Sequence, residues 1–360
     1  MKMTTVMLLG PSLNAVSGVS THLNQMCRSS LSHDFDLVHF QVGSEGRGES
    51  AAGKSLRLLI SPFQFAMALF RVRPDIVHVN TSMEQKSYWR DIVYVLIAKL
   101  AGRRVLYQVH GGALPEEFFG NRPVLTGLLR RVLRSADAIV LLAQRELLAY
   151  RHFDQALPLK VIPNAIDIVA DPQDKQLHTR PLLLVYVGRL AESKGVFELL
   201  EALALVRSAD VKVNLRIAGS GPAEADLRAQ VVQMGLQDTV TFLGPVFGEE
   251  KDKLWEGADL FGFPTHHEGL PYALLESMAA RTPALVCPVG AIPDVMQDGV
   301  HGLFVAPQDP EALAQAILRL DKDRDLLQSM GQACRDRIES YYSLERLAQD
   351  FRDTYGALRR

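Results

Sequence analysis

Short runs of β-branched and apolar residues alternate with longer helical patterns along this chain, and the alternation occurs in two successive blocks. Such alternation is typical of a parallel sheet covered by helices on both faces. The sequence therefore predicts two such sheets. The expected strands of the first block are Val6–Leu9, Phe35–Val42, Ile76–Val79, Val105–Val109, Ala138–Leu142 and Lys160–Ile162, and those of the second are Leu182–Val187, Asn214–Ala218, Val240–Phe242, Leu260–Phe263, Ala284–Cys287 and Leu303–Val305.

The length of the chain predicts that the two blocks fold as separate domains. A single hydrophobic core stops growing near ~250–300 residues, and this chain has 360. The polar, proline-containing stretch Ile168–Pro181 is typical of an interdomain linker. We therefore expect a first domain at 1–168 and a second domain at 169–342, with the boundary near Val169.

The C-terminal segment 343–360 is predicted to be an amphipathic helix. Its apolar residues recur every three or four positions, as one side of a helix requires. This stripe consists of Leu344, Leu347, Phe351, Tyr355 and Leu358. A stripe of this kind has to pack against one of the domains.

The composition limits the function classes open to the chain. Lys and Arg total 39 against 41 Asp and Glu, a net charge of −2, whereas a nucleic-acid binder needs a dominant basic surface. The three cysteines lack metal-ligand spacing, which favours a reduced, cytoplasmic setting. The longest apolar stretch, Ile92–Ala101, is interrupted by Lys99 and falls short of the roughly 20 residues of a spanning helix. We expect neither a nucleic-acid partner nor a transmembrane segment.

The segment 264–279, PTHHEGLPYALLESMA, follows the predicted strand Leu260–Phe263 and carries the strongest functional signal. Gly269 lets the backbone approach a ligand closely, and Pro271 suits the start of a helix. The first amides of such a helix can face an anion. The amides expected to do so belong to Leu270, Tyr272 and Ala273.

Two carboxylates, Glu268 and Glu276, lie eight residues apart in this segment and could accept hydrogen bonds from sugar hydroxyls. The alternative is that the acids only stabilise a helix N-terminus, by ~0.3–1 kcal/mol. The pattern resembles the signature of the family 4 retaining glycosyltransferases. That resemblance implies an α/β GT-B fold, in which two Rossmann-like, doubly wound domains face each other across a cleft. It also implies that the C-terminal helix crosses back to the first domain.

Further motifs match the same family. Gly188, Arg189 and Lys194 follow the first strand of the second block, where the resemblance implies that the two cations grip the donor diphosphate. Alone, these charges would be interpreted as solvated surface residues. His110 ends a strand of the first block, and the resemblance implies contact with the transferred sugar; the alternative is a core histidine. Gly18 stands where the family has a glycine-rich loop, although Ser17 replaces the customary first glycine.

The resemblance implies a metal-independent transfer from a UDP-, GDP- or ADP-sugar, with no separate cofactor. The second domain would bind the donor, and the first domain would bind a saccharide or lipid-linked saccharide acceptor, in surface polysaccharide or glycolipid assembly. His110, Arg189, Lys194 and Glu268 are the expected catalytic residues. Glu268 would contact the donor sugar and Glu276 the ribose hydroxyls.

One stretch hints at a membrane surface. Residues 127–134, GLLRRVLR, combine apolar and basic positions at helical spacing. A peripheral contact at the cytoplasmic face of a membrane and a core helix with a wet basic edge both fit this pattern.

Two alternative functions stay open. A non-hydrolysing sugar-nucleotide 2-epimerase shares the expected fold and ligand, although the spacing of the two glutamates disfavours it. A catalytically silent sugar-nucleotide-binding subunit would fit Ser17 and Ala165, which replace family glycines. Asp321–Asp325 contains an Asp-x-Asp spacing, but it lies in a charged helical stretch, so we predict no metal site. No G-x-G-x-x-G follows a predicted strand, which argues against a nicotinamide enzyme.

Overall fold

Twelve strands form two six-stranded sheets in the computed structural model, which describes residues 3–168, 175 and 181–359. The first sheet contains β1 (Thr4–Gly10), β2 (Phe35–Gln41), β3 (Ile76–Met83), β4 (Arg104–Gly112), β5 (Ala138–Leu141) and β6 (Leu159–Val161). The second contains β7 (Leu182–Val187), β8 (Val213–Ala218), β9 (Val240–Gly244), β10 (Leu260–Phe263), β11 (Ala284–Val286) and β12 (Gly302–Phe304). Every predicted strand overlaps an observed one, so the pattern of twelve strands is confirmed.

Helices connect these strands. They are α1 (Gly18–Arg28), α2 (Leu31–Asp34), α3 (Ala51–Val72), α4 (Gln85–Leu100), α5 (Pro123–Ser135), α6 (Gln144–Phe153), α7 (Val196–Ser208), α8 (Glu224–Gln233), α9 (Gly248–Gly257), α10 (Tyr272–Ala279), α11 (Ile292–Val295), α12 (Pro310–Lys322), α13 (Arg324–Tyr341) and α14 (Leu344–Arg359). A single 3₁₀ turn, Glu192–Lys194, follows β7.

The chain divides into two compact units. Unit 1 comprises Met1–Asp167 with Tyr342–Arg360, and unit 2 comprises Ile168–Tyr341. The boundary expected near Val169 lies outside the described residues, as does most of the predicted linker. Ile168, Lys175 and Pro181 are the described residues of that stretch. The Lys175 ammonium group bonds the Trp255 carbonyl oxygen at 3.2 Å.

The sheet of unit 1 has helices on both faces. Its strand order is β2-β1-β3-β4-β5-β6, with every neighbouring pair parallel. Alternate residues of β1 point to opposite faces, as the strand period requires. Met7 and Leu9 join the core under α3 to α6, whereas Val6 and Leu8 join the core under α1, α2 and α14.

The C-terminal helix α14 packs in unit 1, as the fold prediction expected. Phe351 and Tyr355 are completely buried in the core that includes α1 and β1. A backbone bridge between Ile166 and Ser343 holds the start of this helix beside the end of the first block. The predicted apolar stripe is therefore the side of α14 that unit 1 covers.

Residues 127–134 lie in α5. Leu129, Val132 and Leu133 are buried in the core of unit 1. The guanidinium of Arg134 binds Asp154, with a shortest N–O distance of 2.6 Å. The core-helix interpretation of this stretch is therefore the one that the burial supports, and what α5 exposes there is basic rather than apolar.

Unit 2 has the strand order β12-β11-β10-β7-β8-β9, again with parallel neighbours. The chain order of the strands reverses direction between β7 and β10, and in unit 1 it does so between β1 and β3. Open α/β sheets bind ligands at such switch points, beyond the carboxyl ends of the strands. The loops that follow β1, β3, β7 and β10 are therefore the places to look for a site.

Candidate functional site

The two loops at the switch point of unit 2 meet through side chains and backbone. Lys194 follows β7 and Glu268 follows β10, and the Lys194 ammonium binds a Glu268 carboxylate oxygen. The same ammonium bonds the His267 carbonyl oxygen at 3.3 Å and lies 5.9 Å from the centre of the Phe263 ring. The sequence-predicted lysine and first glutamate therefore share one site, although 74 positions separate them.

Burial raises the pKa of the Glu268 carboxyl group, and the neighbouring Lys194 charge opposes this rise. Both side chains are mostly covered, with 23% of Lys194 and 16% of Glu268 accessible. A buried ion pair depends on both partners, because removing one leaves the other charge uncompensated. The pair can exchange partners when a polyanionic ligand arrives.

Close backbone contacts hold the two loops together. The His266 amide donates to the Ser193 carbonyl oxygen at 3.0 Å. Gly195 has a φ of +71°, and a Cβ there would lie 2.1 Å from the Pro264 carbonyl oxygen. A larger residue at Gly195 would push the loops apart, because this conformation and this approach both require glycine. Gly195, the residue after Lys194, therefore has a structural role in this loop.

Arg189 and the start of α10 complete the predicted anion site. The Arg189 side chain is exposed and has no acidic partner within the described ranges. Its carbonyl oxygen accepts a 2.8 Å hydrogen bond from the Tyr186 hydroxyl, which fixes the backbone next to Gly188. Pro271 is the N-cap of α10 rather than its first residue, so Tyr272 and Ala273 form the first turn.

The loop before α10 is supported from β11. Gly290 has a φ of +56°, and a Cβ there would lie 1.9 Å from the Glu268 carbonyl oxygen. The Ala291 amide donates to the Gly269 carbonyl oxygen at 2.9 Å. The backbone at Glu268, Gly269 and Leu270 is thus held from a segment that the sequence analysis did not single out. Only the glycine-containing VGAIP sequence could have pointed to it.

Glu276 lies on α10, one turn after the helix start, and α9 supplies its partners. The Lys251 ammonium lies 2.7 Å from one carboxylate oxygen, and the Trp255 indole N–H donates to the other at 3.3 Å. Neither residue was predicted from the sequence. Lys251 and Trp255 are four positions apart on one helix. That spacing does not indicate that both contact Glu276, which lies on another helix.

The switch point of unit 1 carries a cluster of histidines. Gln108 Oε1 on β4 accepts from His22 Nε2 at 3.1 Å and from His78 Nε2 at 2.9 Å. The Tyr355 hydroxyl of α14 then donates to His78 Nδ1 at 2.7 Å, which fixes the neutral tautomer of that ring. The rings of His22 and His110 are in edge contact, with centroids 4.7 Å apart.

These histidines are uncharged at neutral pH. Burial lowers the pKa of His22 to about 4 and that of His78 to about 3. Burial also lowers the pKa of His110, and the nearby His22 and His78 rings lower it further. His22 lies on α1 and is completely buried in unit 1.

His110 is half-buried at the end of β4 and is oriented by a neighbouring strand. Its Nε2–H donates to Asn80 Oδ1 at 2.9 Å, which leaves Nδ1 as the acceptor nitrogen. The amide nitrogen Nδ2 of Asn80 is buried and makes no hydrogen bond within the described residues. Asn80 also lines a cavity of about 660 Å³ between α3 and α4. The residue with this unpaired donor therefore lines a space that can hold a ligand, and it also holds His110.

Gly18 begins α1, next to this site. Ser17 is the N-cap, and its hydroxyl oxygen accepts from the Ser20 amide at 3.3 Å. A Cβ at Gly18 would meet no atom within 4 Å. Ser17 is thus a favourable helix start rather than a damaged loop, and the packing of unit 1 does not itself require glycine at position 18.

The Asp-x-Asp stretch has structural roles at a helix junction. Asp321 binds Arg324, and Asp323 Oδ1 accepts from the Leu326 amide at 2.9 Å. No group of three or more His, Cys, Asp or Glu side chains is arranged to hold a metal ion in the described part of the chain.

Two family models match the chain. The model described as "Glycosyl transferases group 1" matches residues 167–337, and that described as "Glycosyltransferase Family 4" matches residues 16–169. A relative from Mycobacterium tuberculosis, the GDP-mannose-dependent alpha-(1-6)-phosphatidylinositol monomannoside mannosyltransferase, is 30% identical over 275 residues, which is 71% of this chain and 70% of that protein. Three other curated relatives are matched over only 42–49% of their own length.

Solved structures share the fold. Sucrose-phosphate synthase from Thermosynechococcus elongatus superposes with a TM-score of 0.78 at 19% identity, over 99% of both chains. Anabaena HepE in complex with UDP-glucose superposes with a TM-score of 0.76 at 17% identity, over 98% of this chain and 99% of that one.

Proposed function

Because this chain belongs to the group 1, family 4 glycosyltransferases of GT-B fold, we propose that it transfers a sugar from a nucleotide-diphosphate donor to an acceptor hydroxyl. We further propose that the transfer retains the anomeric configuration and needs no metal ion. The observation that carries the proposal is the meeting of Lys194 and Glu268 at the switch point of unit 2. Both residues belong to motifs of this family, and the fold brings them together from loops that are 74 positions apart in the sequence.

In this proposal, unit 2 binds the donor. The exposed Arg189 and the Lys194 ammonium provide positive charge for the diphosphate, and the first turn of α10 adds backbone N–H groups. Charge grows on the diphosphate as the bond from the anomeric carbon to phosphate breaks. Fixed cations that stabilise this charge lower the barrier, which is the role usually given to a metal ion.

The two glutamates then have separate roles. Glu268 contacts the hydroxyls of the donor sugar, and donor binding loosens its hold on Lys194 so that the ammonium turns to the phosphate. Glu276 accepts from the ribose hydroxyls, with Lys251 and Trp255 holding its carboxylate in place. A positioned carboxylate is needed for this because each unmade hydrogen bond to a bound hydroxyl costs affinity.

Unit 1 binds the acceptor, a saccharide or a lipid-linked saccharide, in surface polysaccharide or glycolipid assembly. His110 is neutral and offers Nδ1 as an acceptor for a sugar hydroxyl, while Asn80 holds its other nitrogen. The adjoining cavity combines hydroxyl and amide groups with the aromatic ring of Trp89. This mixture suits a sugar ring, which has polar edges and an apolar face. The acceptor hydroxyl attacks from the side that the phosphate leaves, and the phosphate oxygen takes its proton.

A panel of UDP-, GDP- and ADP-sugars, scored by thermal shift and then by hydrolysis in EDTA, tests the donor assignment. We expect one base to stabilise the protein and its sugar to be released slowly without metal. Activity that disappears in EDTA and returns with a divalent cation would contradict metal independence. Formation of an epimer would support the 2-epimerase, and binding without turnover for any supplied acceptor would support a silent subunit.

The stereochemical outcome needs its own measurement. With the donor and an acceptor that turns over, proton NMR of the first product reports the anomeric configuration before it can equilibrate. We expect the configuration of the donor. The opposite configuration would contradict the retaining mechanism while leaving the transferase assignment in place.

A further inference from the structure

Helix α3 is apolar on two opposite sides. Phe65 and Leu69 are 0% and 3% exposed and face the core of unit 1, where the Ser61 hydroxyl also meets the Tyr94 hydroxyl at 2.6 Å. The other side carries six exposed apolar residues, which recur about once per helical turn. They are Leu56, Leu59, Ile60, Phe63, Met67 and Phe70, with exposures from 41% to 75%. At about 100° per residue, these six fall within one third of the helix circumference.

Helix α4 adds a second apolar stripe beside the first. Trp89, Val93, Leu96 and Leu100 are exposed at the same helical spacing. The two helices are neighbours, since the Phe65 and Tyr94 rings pack with centroids 5.2 Å apart. We call the six α3 residues and these four the α3–α4 face. It holds 10 of the 21 large apolar side chains that are exposed among the described residues.

A face of this kind is unusual for a protein that meets only water. Large exposed apolar side chains on a soluble monomer are normally scattered, and a contiguous group marks an interaction surface. An exposed helix that is apolar around most of its circumference requires a second apolar partner besides its own core. The Gly53–Val72 part of α3 is also long and apolar enough, by composition, to cross a membrane. The sequence analysis missed this segment because Lys54, Arg57 and Pro62 interrupt it.

The charges around the face are cationic. Helix α3 contains no acidic residue, and Lys54, Arg71 and its C-cap Arg73 have no acidic partner within the described ranges. Arg57 binds Glu49 just before the helix. In α4, the single acid Asp91 is completely buried and paired with Arg90.

This arrangement matches an anionic lipid surface better than a second protein copy. Apolar side chains flanked by cations bind at the boundary between headgroups and acyl chains, where phosphates neutralise the cations. Two copies joined through this face would bring their unpaired cations together, and α3 and α4 themselves expose no acid to balance them. A span across the bilayer would remove Phe65 and Leu69 from the core of unit 1. The helix therefore has to lie along the membrane surface.

We propose that the α3–α4 face docks unit 1 onto an anionic bilayer, with α3 in the plane of the headgroups. The cavity next to Asn80 is lined by Lys54 and Leu58 of α3 and by Trp89 and Val93 of α4, so docking places it beside the lipid headgroups. A lipid-linked acceptor enters the cavity from the membrane with its sugar toward His110. This last step rests on the proposed function, whereas membrane docking does not. The contact surface is α3 and α4 instead of residues 127–134.

Flotation of the full-length chain with phosphatidylglycerol–phosphatidylcholine vesicles tests docking without any catalytic readout. We expect binding to these vesicles and much weaker binding to phosphatidylcholine alone. Phe63→Gln with Phe70→Gln should reduce the bound fraction at least tenfold. Lys54→Glu with Arg71→Glu should reduce affinity more than 20-fold, because each cation contributes about fivefold. All four positions are exposed, so these substitutions should not disturb the core of unit 1.

Matched controls separate the face from general stickiness and charge. Leu148→Gln with Phe247→Gln removes two exposed apolar residues elsewhere, and Arg131→Glu reverses an exposed charge on α5. Both should float like wild type. No flotation of the wild type, equal binding of all variants, or a loss with Arg131→Glu alone would overturn the proposal. So would a dimer in light scattering that Phe63→Gln with Phe70→Gln dissociates.

Donor hydrolysis without vesicles keeps the two proposals apart. The variant Phe63→Gln with Phe70→Gln should retain wild-type donor hydrolysis, since both positions lie outside the donor site and outside the lining of the cavity. Flotation without hydrolysis would contradict the proposed function and leave docking standing. Hydrolysis without flotation would contradict membrane docking and leave the proposed function standing.

Discussion

The switch point of the second sheet is lined by charged side chains, and the switch point of the first sheet is lined by neutral rings and amides. We call these the charged edge and the neutral edge. Beyond β7 and β10, Lys194 pairs with Glu268 and Lys251 pairs with Glu276. On β3 and β4, His78 donates to Gln108 and His110 donates to Asn80, and none of these groups carries a formal charge. Both edges occupy a switch point of a parallel sheet, so topology alone does not determine their chemistry.

The difference follows from what each edge is proposed to hold. A diphosphate requires fixed positive charge, and exchangeable ion pairs keep such charge in place before the ligand arrives. A sugar acceptor is neutral, and hydrogen-bonding groups of fixed tautomer recognise it without a large desolvation cost. The four predictions below test whether charge matters at one edge and neutrality at the other.

The largest effect is expected for Lys194→Ala. Removing a preorganised group that stabilises developing charge typically lowers turnover about 10²–10³-fold. We expect a loss of this size in kcat with a smaller change in the donor KM, measured with saturating acceptor. Lys212→Ala, which removes an exposed lysine of unit 2, is the matched control. Wild-type kcat in the Lys194 variant would show that the charge of Lys194 does not contribute to catalysis.

The neutral edge should weaken in mild acid. An unfolded histidine has a pKa near 6.5, whereas folding lowers the pKa of His22 to about 4 and that of His78 to about 3. Between these values only the unfolded chain binds the protons, so the free energy of unfolding of unit 1 falls as the pH drops below about 6.5. From pH 7 to pH 5 the loss is roughly 2 kcal/mol for each histidine.

Unit 2 should not follow this trend through its own site. The pKa of Glu268 is raised by burial. The stability that this carboxyl group contributes is therefore present at low pH and is lost as the pH rises through its pKa in the folded chain. Hydrogen exchange at pH 7 and 5, corrected for the intrinsic rate, should show lower protection in β3 and β4 than in β7 and β10 at the lower pH. His78→Gln should reduce the effect, and the exposed His152→Gln should not. Equal losses in both units would contradict the comparison.

Residue patterns predicted the strands and the motif loops, but they did not predict partners that meet through space. Most strand runs are apolar and buried, and a period of two or a short apolar run reports this locally. The contacts of Lys251 and Trp255 with Glu276 depend on how α9 packs beside α10, which no local pattern encodes. The same is true of Tyr355, which reaches His78 across 277 positions.

Helix α3 shows the opposite failure, because its local pattern was ambiguous. Its buried apolar residues and its exposed apolar residues lie on opposite sides of the helix. The sequence therefore does not show which side faces the core. The α5 pattern fitted both a membrane surface and a core helix with a basic edge, and Leu129 and Leu133 are core residues. An apolar stripe identifies a surface to be covered, and only the fold shows whether the core already covers it.

Glu276→Ala tests the charged edge through binding. We expect the donor KM to rise about tenfold with a smaller change in kcat, because one charged group that bonds a hydroxyl contributes roughly 1.5–3 kcal/mol. Lys251→Ala should shift KM in the same direction by less, since Lys251 acts by holding Glu276. Glu256→Ala and Lys253→Ala, both exposed on α9, are the controls. An unchanged KM in the Glu276 variant would assign the carboxylate to packing of α9 against α10.

The smallest effect is expected for Gly18→Ala at the neutral edge. A Cβ there meets no atom within 4 Å, so the free energy of unfolding should stay equal or rise by about 0.5–1 kcal/mol, as for Gly127→Ala within α5. If the backbone at Gly18 approaches a ligand, the added methyl group should raise KM several-fold while Gly127→Ala leaves it unchanged. Thermal unfolding and acceptor kinetics on both variants measure this. Wild-type kinetics for Gly18→Ala would leave His110 and Asn80, and not the start of α1, as the part of unit 1 that contacts the substrate.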